Sequence, residues 1–246
     1  MNWAGYFYGV KLKSMMDASE FLPVHYKDRD IRFQSLLSSN YQNNQPGVLI
    51  LPAWMGIDRE AIRAAGILQR HGYVAMIADI YGQGQQPNSI MEASKFSKRL
   101  KENYALYQRR IALALAEFKR LRGKKDATAV IGYCFGGTGA LEAVRGQLDI
   151  QAAVCIHGDL SKSPSRTSVI WKAKVLIQHA GDDQFISLDD LAGVIREMKE
   201  IQSDWQLISY GGAKHSFTNP WSDEYHKTLA KRAWRHTLEF LDEVLA

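Results

Sequence analysis

Cysteine is scarce in this chain, which has only Cys134 and Cys155 among its 246 residues. A fold held together by several disulfides is therefore not expected. Metal-binding patterns such as C-x-x-C and H-E-x-x-H are also missing, so we expect neither a metal nor another cofactor. No apolar run approaches the ~20 residues that cross a bilayer, and residues 1–21 lack the apolar core of a secretory signal. We predict a cytoplasmic protein without a membrane span.

A large excess of one charge is missing as well. The formal net charge is +5 and the pI is about 9.1, and a basic protein can bind nucleic acid. Here, however, Lys and Arg are interleaved with Asp and Glu along most of the chain. The densest basic run, FKRLRGKK at 118–125, is predicted to be the exposed end of a helix, where cations suit the helix dipole. We expect no nucleic-acid partner.

Short apolar runs alternate with amphipathic segments over most of the chain. Runs of Val, Ile, Leu and Ala are typical of strands buried on both faces. Strands that alternate with helices predict an α/β fold, with a mostly parallel central sheet and helices on both faces. The predicted strands are 48–52, 73–79, 127–133, 150–158, 173–181 and 204–210, and the predicted helices are 58–72, 89–122 with a break near Glu102 or Asn103, 136–146, 188–201 and 223–245.

The beginning of the chain has a different pattern. Residues 24–39 alternate apolar and polar side chains, which predicts an antiparallel hairpin with its turn at 27–30 (KDRD). No linker, repeat or low-complexity segment interrupts the rest of the sequence. We therefore predict one domain over residues 24–246 and an N-terminal appendage over residues 1–23.

Reactive side chains follow three of the predicted strands. Cys134 follows the third buried strand, Asp182 and Asp183 follow the fifth, and His215 follows the sixth. Ligand sites of open α/β sheets form at the carboxyl ends of the strands. A nucleophile, an acid and a base at one edge are the groups that covalent acyl transfer needs. The residues alone leave Asp182 and Asp183 both open as the acid.

Each of these residues also has an ordinary structural interpretation. A cysteine between a strand and a helix is often a small buried apolar side chain, and Cys155, in mid-strand, is expected to be one. An aspartate after a strand can cap a turn or a helix, and His215 can be a simple loop histidine. The occurrence of all three residue types at one edge of the sheet favours catalysis.

The stretch G-Y-C-F-G at 132–136 has the pattern of a nucleophile elbow, G-x-S-x-G, with Cys134 in place of Ser. Gly132 and Gly136 allow the strand and the helix to approach closely. The free N–H groups and the positive end of the following helix stabilise a thiolate. The backbone N–H of Phe135 is then one candidate donor to an oxyanion.

At this point the chain resembles the dienelactone hydrolase family of α/β-hydrolases, from about residue 24 to the end. GYCFGG is similar to the cysteine elbow of that family, HAGDDQFIS to its acid loop and AKHSF to its histidine loop. LPAWMGID and ADIYGQGQQP resemble its loops after the third and fourth strands. The resemblance implies an α/β-hydrolase fold, with Cys134 as nucleophile, His215 as base and Asp183 as the carboxylate that orients His215.

The expected activity is hydrolysis of a small ester or lactone through a thioester on Cys134. The oxyanion donors are expected to be the backbone N–H groups of Phe135 and Trp54. The expected partner is a small-molecule substrate, and the protein is expected to be a monomer or a small homo-oligomer. The predicted substrate-binding residues are mostly apolar, as in many ligand sites: Met55, Tyr81, His157, Phe185 and Phe217.

The chain departs from the family pattern at specific places. The resemblance implies a Glu that helps activate the thiol, and Ala53 stands at that position. It also implies two arginines that hold a substrate carboxylate, where this chain has Gln83 and the pair Thr218 and Asn219. A substrate other than dienelactone is therefore expected. The alternatives are a thioesterase, peptidase or acyltransferase on the same scaffold, and a non-catalytic ligand-binding homologue.

Overall fold

The computed structural model describes residues 20–42, 45–122, 127–163 and 165–245, and eight strands in these ranges form one sheet. The strand order is β1-β2-β4-β3-β5-β6-β7-β8. Strands β3 to β8 are parallel to one another, and β2 joins β4 in an antiparallel pair. The strands are β1 (Phe21–Asp28), β2 (Ile31–Ser38), β3 (Gly47–Leu51), β4 (Val74–Ile77), β5 (Thr128–Tyr133), β6 (Ala152–Ile156), β7 (Lys174–Ala180) and β8 (Trp205–Tyr210).

The predicted mostly parallel sheet is confirmed, and each side of it carries its own core. In β3, Leu49 and Leu51 belong to one apolar cluster, whereas Val48 and Ile50 belong to another. Neighbouring residues of a strand point to opposite faces, so the uninterrupted apolar run reflects burial on both faces. The described helices that cover the sheet are α1 (Arg59–Arg70), α2 (Ile90–Glu102), α3 (Tyr104–Arg122), α4 (Phe135–Arg145), α5 (Leu188–Glu200) and α6 (Lys227–Leu245).

Local sequence features explain most of the boundaries of these helices. Asp58 caps α1, because its carboxylate accepts a hydrogen bond from the Ala61 N–H at 2.9 Å. The predicted break in the long helical segment occurs at Asn103. Helix α6 begins four residues later than predicted. The segment before it bonds to the loop of His215 instead: the N–H of His226 donates to the Phe217 carbonyl, and the Glu224 carboxylate accepts from the Ser216 N–H.

The N-terminal hairpin forms as predicted, with its turn at Arg29 and Asp30. Arg29 has a φ of 53°, a left-handed conformation suited to a tight turn. Strand β1 starts at Phe21, so residues 21–23 belong to the sheet rather than to the predicted appendage. The Glu20 carbonyl accepts the Ser39 N–H at 3.0 Å, and residues 1–19 lie outside the described residues.

The prediction that the basic run at 118–125 is the exposed end of a helix is wrong for Arg122, which is 1% exposed. Its guanidinium donates to the Thr128 hydroxyl at 3.0 Å and to the carbonyls of Gln45 and Ala127. It thus ties α3 to the starts of β3 and β5, a use of arginine that charge patterning does not reveal. Residues 123–126 lie outside the described residues. Over the parts of the chain that are described, no helix is both long and apolar enough to cross a membrane.

Candidate active site

Cys134 occupies a sharp turn between β5 and α4. Its φ of 52° and ψ of −115° are unusual for a residue other than glycine. A Cβ atom at Gly132 would lie 1.9 Å from the Gly136 carbonyl oxygen, and one at Gly136 would lie 2.0 Å from that of Leu51. The close approach predicted from the two glycines is therefore present, and it leaves the Cys134 side chain half-buried at the sheet edge.

The structure brings Cys134, Asp183 and His215 together. The Nε2 atom of His215 lies 3.0 Å from the Cys134 Sγ, and its Nδ1 lies 2.7 Å from Oδ2 of Asp183. The other carboxylate oxygen of Asp183 accepts the Phe185 N–H at 2.9 Å. Asp182 is exposed, while the Asp183 side chain is 0% exposed. Of the two candidate acids, Asp183 is the one in contact with the imidazole.

The electrostatics of this group favour a charged imidazole. Burial lowers the pKa of His215, but the hydrogen bonds and charges of Asp183 and Cys134 outweigh burial and raise that pKa to about 10. For Asp183, burial raises the carboxyl pKa, and the hydrogen bonds from His215 and the Phe185 N–H more than reverse this, so its pKa is lowered. The geometry therefore suits a charged imidazole that is oriented by a carboxylate and lies beside the Cys134 sulfur.

A second row of polar side chains lies beneath this group. The Cys134 N–H donates to Nδ1 of His157 at 3.1 Å, and Nε2 of His157 lies 2.8 Å from the Thr218 hydroxyl. Thr218 donates to the Glu60 carboxylate at 2.8 Å. Burial, followed by the charge of His215, lowers the pKa of His157 to about 3, and burial together with Asp58 raises the pKa of Glu60 to about 8.

Glu60 was not predicted as a functional residue. The only signal in the sequence is a carboxylate on the apolar stripe of α1, next to Ala61 and one helical turn from Ala64. A polar side chain on a buried helix face needs a hydrogen-bond partner. That partner, Thr218, is 158 residues away in the chain, so its identity is visible only in the folded structure.

The predicted substrate-binding residues fall into two groups. Met55 is half-buried, and Phe185 is 66% exposed with its ring edge-on to that of His215 at a centroid distance of 5.0 Å. In contrast, Tyr81, His157 and Phe217 are at most 5% exposed. Of the five predicted residues, Met55 and Phe185 are therefore the ones with substantial exposed surface in this structure, and their substrate-binding role stays a prediction.

The two predicted oxyanion donors lie on neighbouring segments. Phe135 is the first residue of α4, where backbone N–H groups have no partner within the helix. The chain that leaves β3 toward Trp54 passes directly over this helix end, since the carbonyls of Leu51 and Pro52 both lie against Gly136. The Tyr81 hydroxyl holds the Trp54 carbonyl at 2.7 Å. The oxyanion role of the two N–H groups stays a prediction.

Positions where the family resemblance implies substrate-binding arginines hold other side chains with other partners. Thr218 is 2% exposed and is fully engaged by His157 and Glu60. The Gln83 amide donates to Gln34 at 2.9 Å, and the Asn219 side chain accepts the Trp221 N–H. None of these groups is a cation. Among the described residues, no group of three or more His, Cys, Asp and Glu side chains is placed to hold a metal.

A mostly parallel sheet with a nucleophile at its strand–helix turn, and with a histidine and an acid at neighbouring strand ends, defines the α/β-hydrolase class. The sequence profile described as "Dienelactone hydrolase family" matches residues 33–245. This chain belongs to the dienelactone hydrolase family and is a carboxylic ester hydrolase of α/β-hydrolase fold.

Individual relatives agree with this assignment. A probable 2-oxo-3-(5-oxofuran-2-ylidene)propanoate lactonase of a Bradyrhizobium species is 30% identical over 209 residues, which cover 80% of this chain and 83% of that protein. The carboxymethylenebutenolidase homolog of Mus musculus is 23% identical over 184 residues, 73% of this chain and 74% of that protein. A crystal structure of a dienelactone hydrolase-like promiscuous phosphotriesterase from metagenomic libraries superimposes with a TM-score of 0.86 at 26% identity, covering 92% of this chain and 98% of that one.

Proposed function

We propose that this protein hydrolyses a small ester or lactone through a thioester on Cys134. The observation that carries the proposal is the position of His215, which lies within hydrogen-bond distance of both the Cys134 thiol and the Asp183 carboxylate. A nucleophile bonded to a base, which is in turn oriented by a carboxylate, is the arrangement that covalent acyl transfer needs.

In the acylation half, the Cys134 thiolate attacks the carbonyl carbon and a bond forms between sulfur and carbon. The negative charge that develops on the carbonyl oxygen is stabilised by the N–H groups of Phe135 and Trp54. His215 then gives its proton to the leaving alkoxide as the bond from carbon to that oxygen breaks. Asp183 holds the imidazole in the orientation that serves both partners.

In the deacylation half, His215 takes a proton from water, and the resulting hydroxide adds to the thioester carbon. Collapse of this second intermediate breaks the carbon–sulfur bond, releases the carboxylic acid and restores the thiolate. A thiolate is a better leaving group than an amide nitrogen, so the first intermediate formed from a peptide returns to substrate more often than the one formed from an ester. Esters and lactones are therefore favoured over amides.

The substrate is an acyl compound that does not depend on the arginine pair of the family pattern. The side chains at those places, Gln83, Thr218 and Asn219, are neutral and already hydrogen-bonded. The exposed Phe185 ring beside His215 offers an apolar contact for the substrate. The similarity to a probable lactonase supports including lactones.

The test compares variants of the only two cysteines in the chain. Replacement of the nucleophile in a catalytic triad costs on the order of 10⁴ or more in rate, so Cys134→Ala is expected to abolish hydrolysis of a neutral aryl ester. Cys134→Ser keeps the geometry with a weaker nucleophile and is expected to leave slight activity. The matched control is Cys155→Ala, because Cys155 is 0% exposed and lies within β6; its turnover number should match that of the parent.

A substrate panel separates the alternatives. It contains an aryl ester, a lactone, an aryl thioester, a peptide and a phosphotriester, the last because one similar structure is described as a promiscuous phosphotriesterase. Mass spectrometry of a slow ester reaction should show an acyl group on Cys134. Hydrolysis by Cys134→Ala at the parent rate contradicts the mechanism, and no turnover of any member by the parent favours a non-catalytic binding protein.

A further inference from the structure

A continuous hydrogen-bonded chain runs under the proposed nucleophile and ends on the buried carboxyl group of Glu60. It links the Cys134 N–H to His157, His157 to Thr218 and Thr218 to Glu60, over distances of 3.1, 2.8 and 2.8 Å. His157, Thr218 and Glu60 are 3%, 2% and 6% exposed. A substrate therefore does not touch these side chains, and the mechanism above gives them no task.

The hydrogen bond from the Cys134 N–H determines where the proton of His157 lies. Nδ1 of His157 faces the Cys134 N–H and must carry no proton, because two donors would otherwise meet. A neutral imidazole then has its proton on Nε2, which donates to the Thr218 oxygen. Thr218 in turn donates its own proton to Glu60. Hydrogen bonds aligned in this way strengthen one another.

Both ends of the first bond are strained. Cys134 has a φ of 52° and His157 a φ of 39°, and neither residue is a glycine. Such conformations cost free energy and persist only when the surroundings hold them in place. The Cys134 N–H is also shared with the Ile156 carbonyl at 3.0 Å, so the imidazole adds a second acceptor at the point where the backbone is most strained.

A neutral His157 also favours the charged form of its neighbour His215. The ring centroids of His157 and His215 lie 5.1 Å apart. A positive charge on His157 would oppose the imidazolium of His215 at this separation. The proposed pair of Cys134 thiolate and His215 imidazolium requires only one charged imidazole, the one next to the thiol.

We infer that Glu60, Thr218 and His157 are positioning residues of the hydrolytic site: Glu60 and Thr218 fix His157 as the neutral tautomer with its proton on Nε2, and its bare Nδ1 holds the backbone of Cys134. The inference rests on the proposed function, in which Cys134 is the nucleophile. It assigns to Glu60 an indirect role, since three hydrogen bonds separate its carboxylate from the thiol.

The kinetic test uses Thr218→Val, which has nearly the same shape but lacks the hydroxyl. It leaves His157 Nε2 and the Glu60 carboxylate without their shared partner, so kcat for an aryl ester should fall by about 10- to 100-fold. The KM should stay close to that of the parent because Thr218 is 2% exposed. Thr218→Ser restores the hydroxyl and should recover most of kcat. Parent kcat in Thr218→Val overturns the inference.

A spectroscopic test on the unmodified protein needs neither a variant nor a substrate. Nitrogen-15 NMR of the histidine rings should show His157 with its proton on Nε2 and a bare Nδ1, unchanged between pH 5 and pH 8. The charged or titratable groups around the chain are Asp58, Arg63, Tyr133, Asp183 and His215. A proton on Nδ1, or titration of His157 within this pH range, overturns the inference.

The two proposals fail differently. If Cys134→Ala hydrolyses the ester at the parent rate, Cys134 is not the nucleophile, but the expected tautomer of His157 is unaffected. If Cys134→Ala is inactive and His157 carries its proton on Nδ1, the hydrolytic mechanism is supported and the positioning role of Glu60 and Thr218 is rejected.

Discussion

The rings of His157 and His215 lie 5.1 Å apart between centroids, yet their pKa values move in opposite directions. Burial lowers the pKa of His157 to about 3, and the charge of His215 adds to this effect. Burial also lowers the pKa of His215, but Asp183 and Cys134 outweigh it and raise that pKa to about 10. These opposite shifts fit the different tasks proposed for the two imidazoles: a charged one beside the thiol and a neutral one beneath it.

The first prediction concerns the acid. Asp183→Asn replaces the carboxylate that contacts His215, so it removes the charge that orients and stabilises the imidazolium. We expect kcat for an aryl ester to fall by on the order of 10⁴. The matched control is Asp182→Asn, an exposed neighbour, which is expected to keep the parent kcat. An equal loss in both variants would show that the effect belongs to the loop and not to the contact with His215.

The second prediction concerns the dependence of stability on pH. Burial and Asp58 raise the pKa of Glu60 from 4.5 to about 8, so the folded state holds a proton that the unfolded state has lost in this range. The free energy of unfolding should fall as pH rises from about 4.5 to about 8, by about 1.4 kcal/mol for each pH unit at the steepest point. Glu60→Gln removes this titration and should make the curve less steep, whereas the slope that His215 contributes above about pH 6.5 remains, as measured by urea unfolding at several pH values.

The control for this series is Glu239→Gln on α6, which removes an exposed carboxylate and should keep the slope of the parent. Asp58 remains in all variants; burial raises its pKa to about 6, so its contribution has the same sign and is lost between about pH 4 and pH 6. The comparison should therefore be made above pH 6. A Glu60→Gln curve parallel to that of the parent in that range contradicts the assignment.

The third prediction concerns the backbone of the elbow. A Cβ atom at Gly136 would lie 2.0 Å from the Leu51 carbonyl oxygen, which cannot rotate away. Gly136→Ala should lower the free energy of unfolding by about 3 kcal/mol, and the activity should fall with it because the loop after β3 must move. Thermal unfolding and kcat are the measurements.

Gly66→Ala on α1 is the matched control for this substitution. A Cβ there would meet only the end of the Arg70 side chain at 3.5 Å, and alanine favours a helix over glycine by about 0.5–1 kcal/mol. This variant should be as stable as the parent or more stable. Equal stability of Gly136→Ala and the parent would mean that the close approach at Leu51 is not required.

The periodicity of apolar residues and the spacing of the apolar runs were sufficient to predict the architecture of the sheet and its helices. Apolar runs such as residues 48–52 predict strands buried on both faces because a parallel sheet covered by helices leaves no face for polar side chains. The hairpin turn and a break near Glu102 or Asn103 were predicted from local patterns as well. Local signals failed where partners are distant: Arg122 looked exposed, but it binds carbonyls at the starts of two strands.

The residues of the site also divide into those that local sequence patterns predict and those that depend on distant partners. The sequence by itself determined the elbow, because glycines must flank a strained corner, and it placed Cys134, His215 and an aspartate at strand ends. The residues alone left Asp182 and Asp183 both open and the family resemblance favoured Asp183; in the tertiary structure only the Asp183 side chain points inward to His215. The tertiary structure alone also placed Glu60 beneath the thiol, because a hydrogen bond across 158 residues leaves no local pattern in either segment.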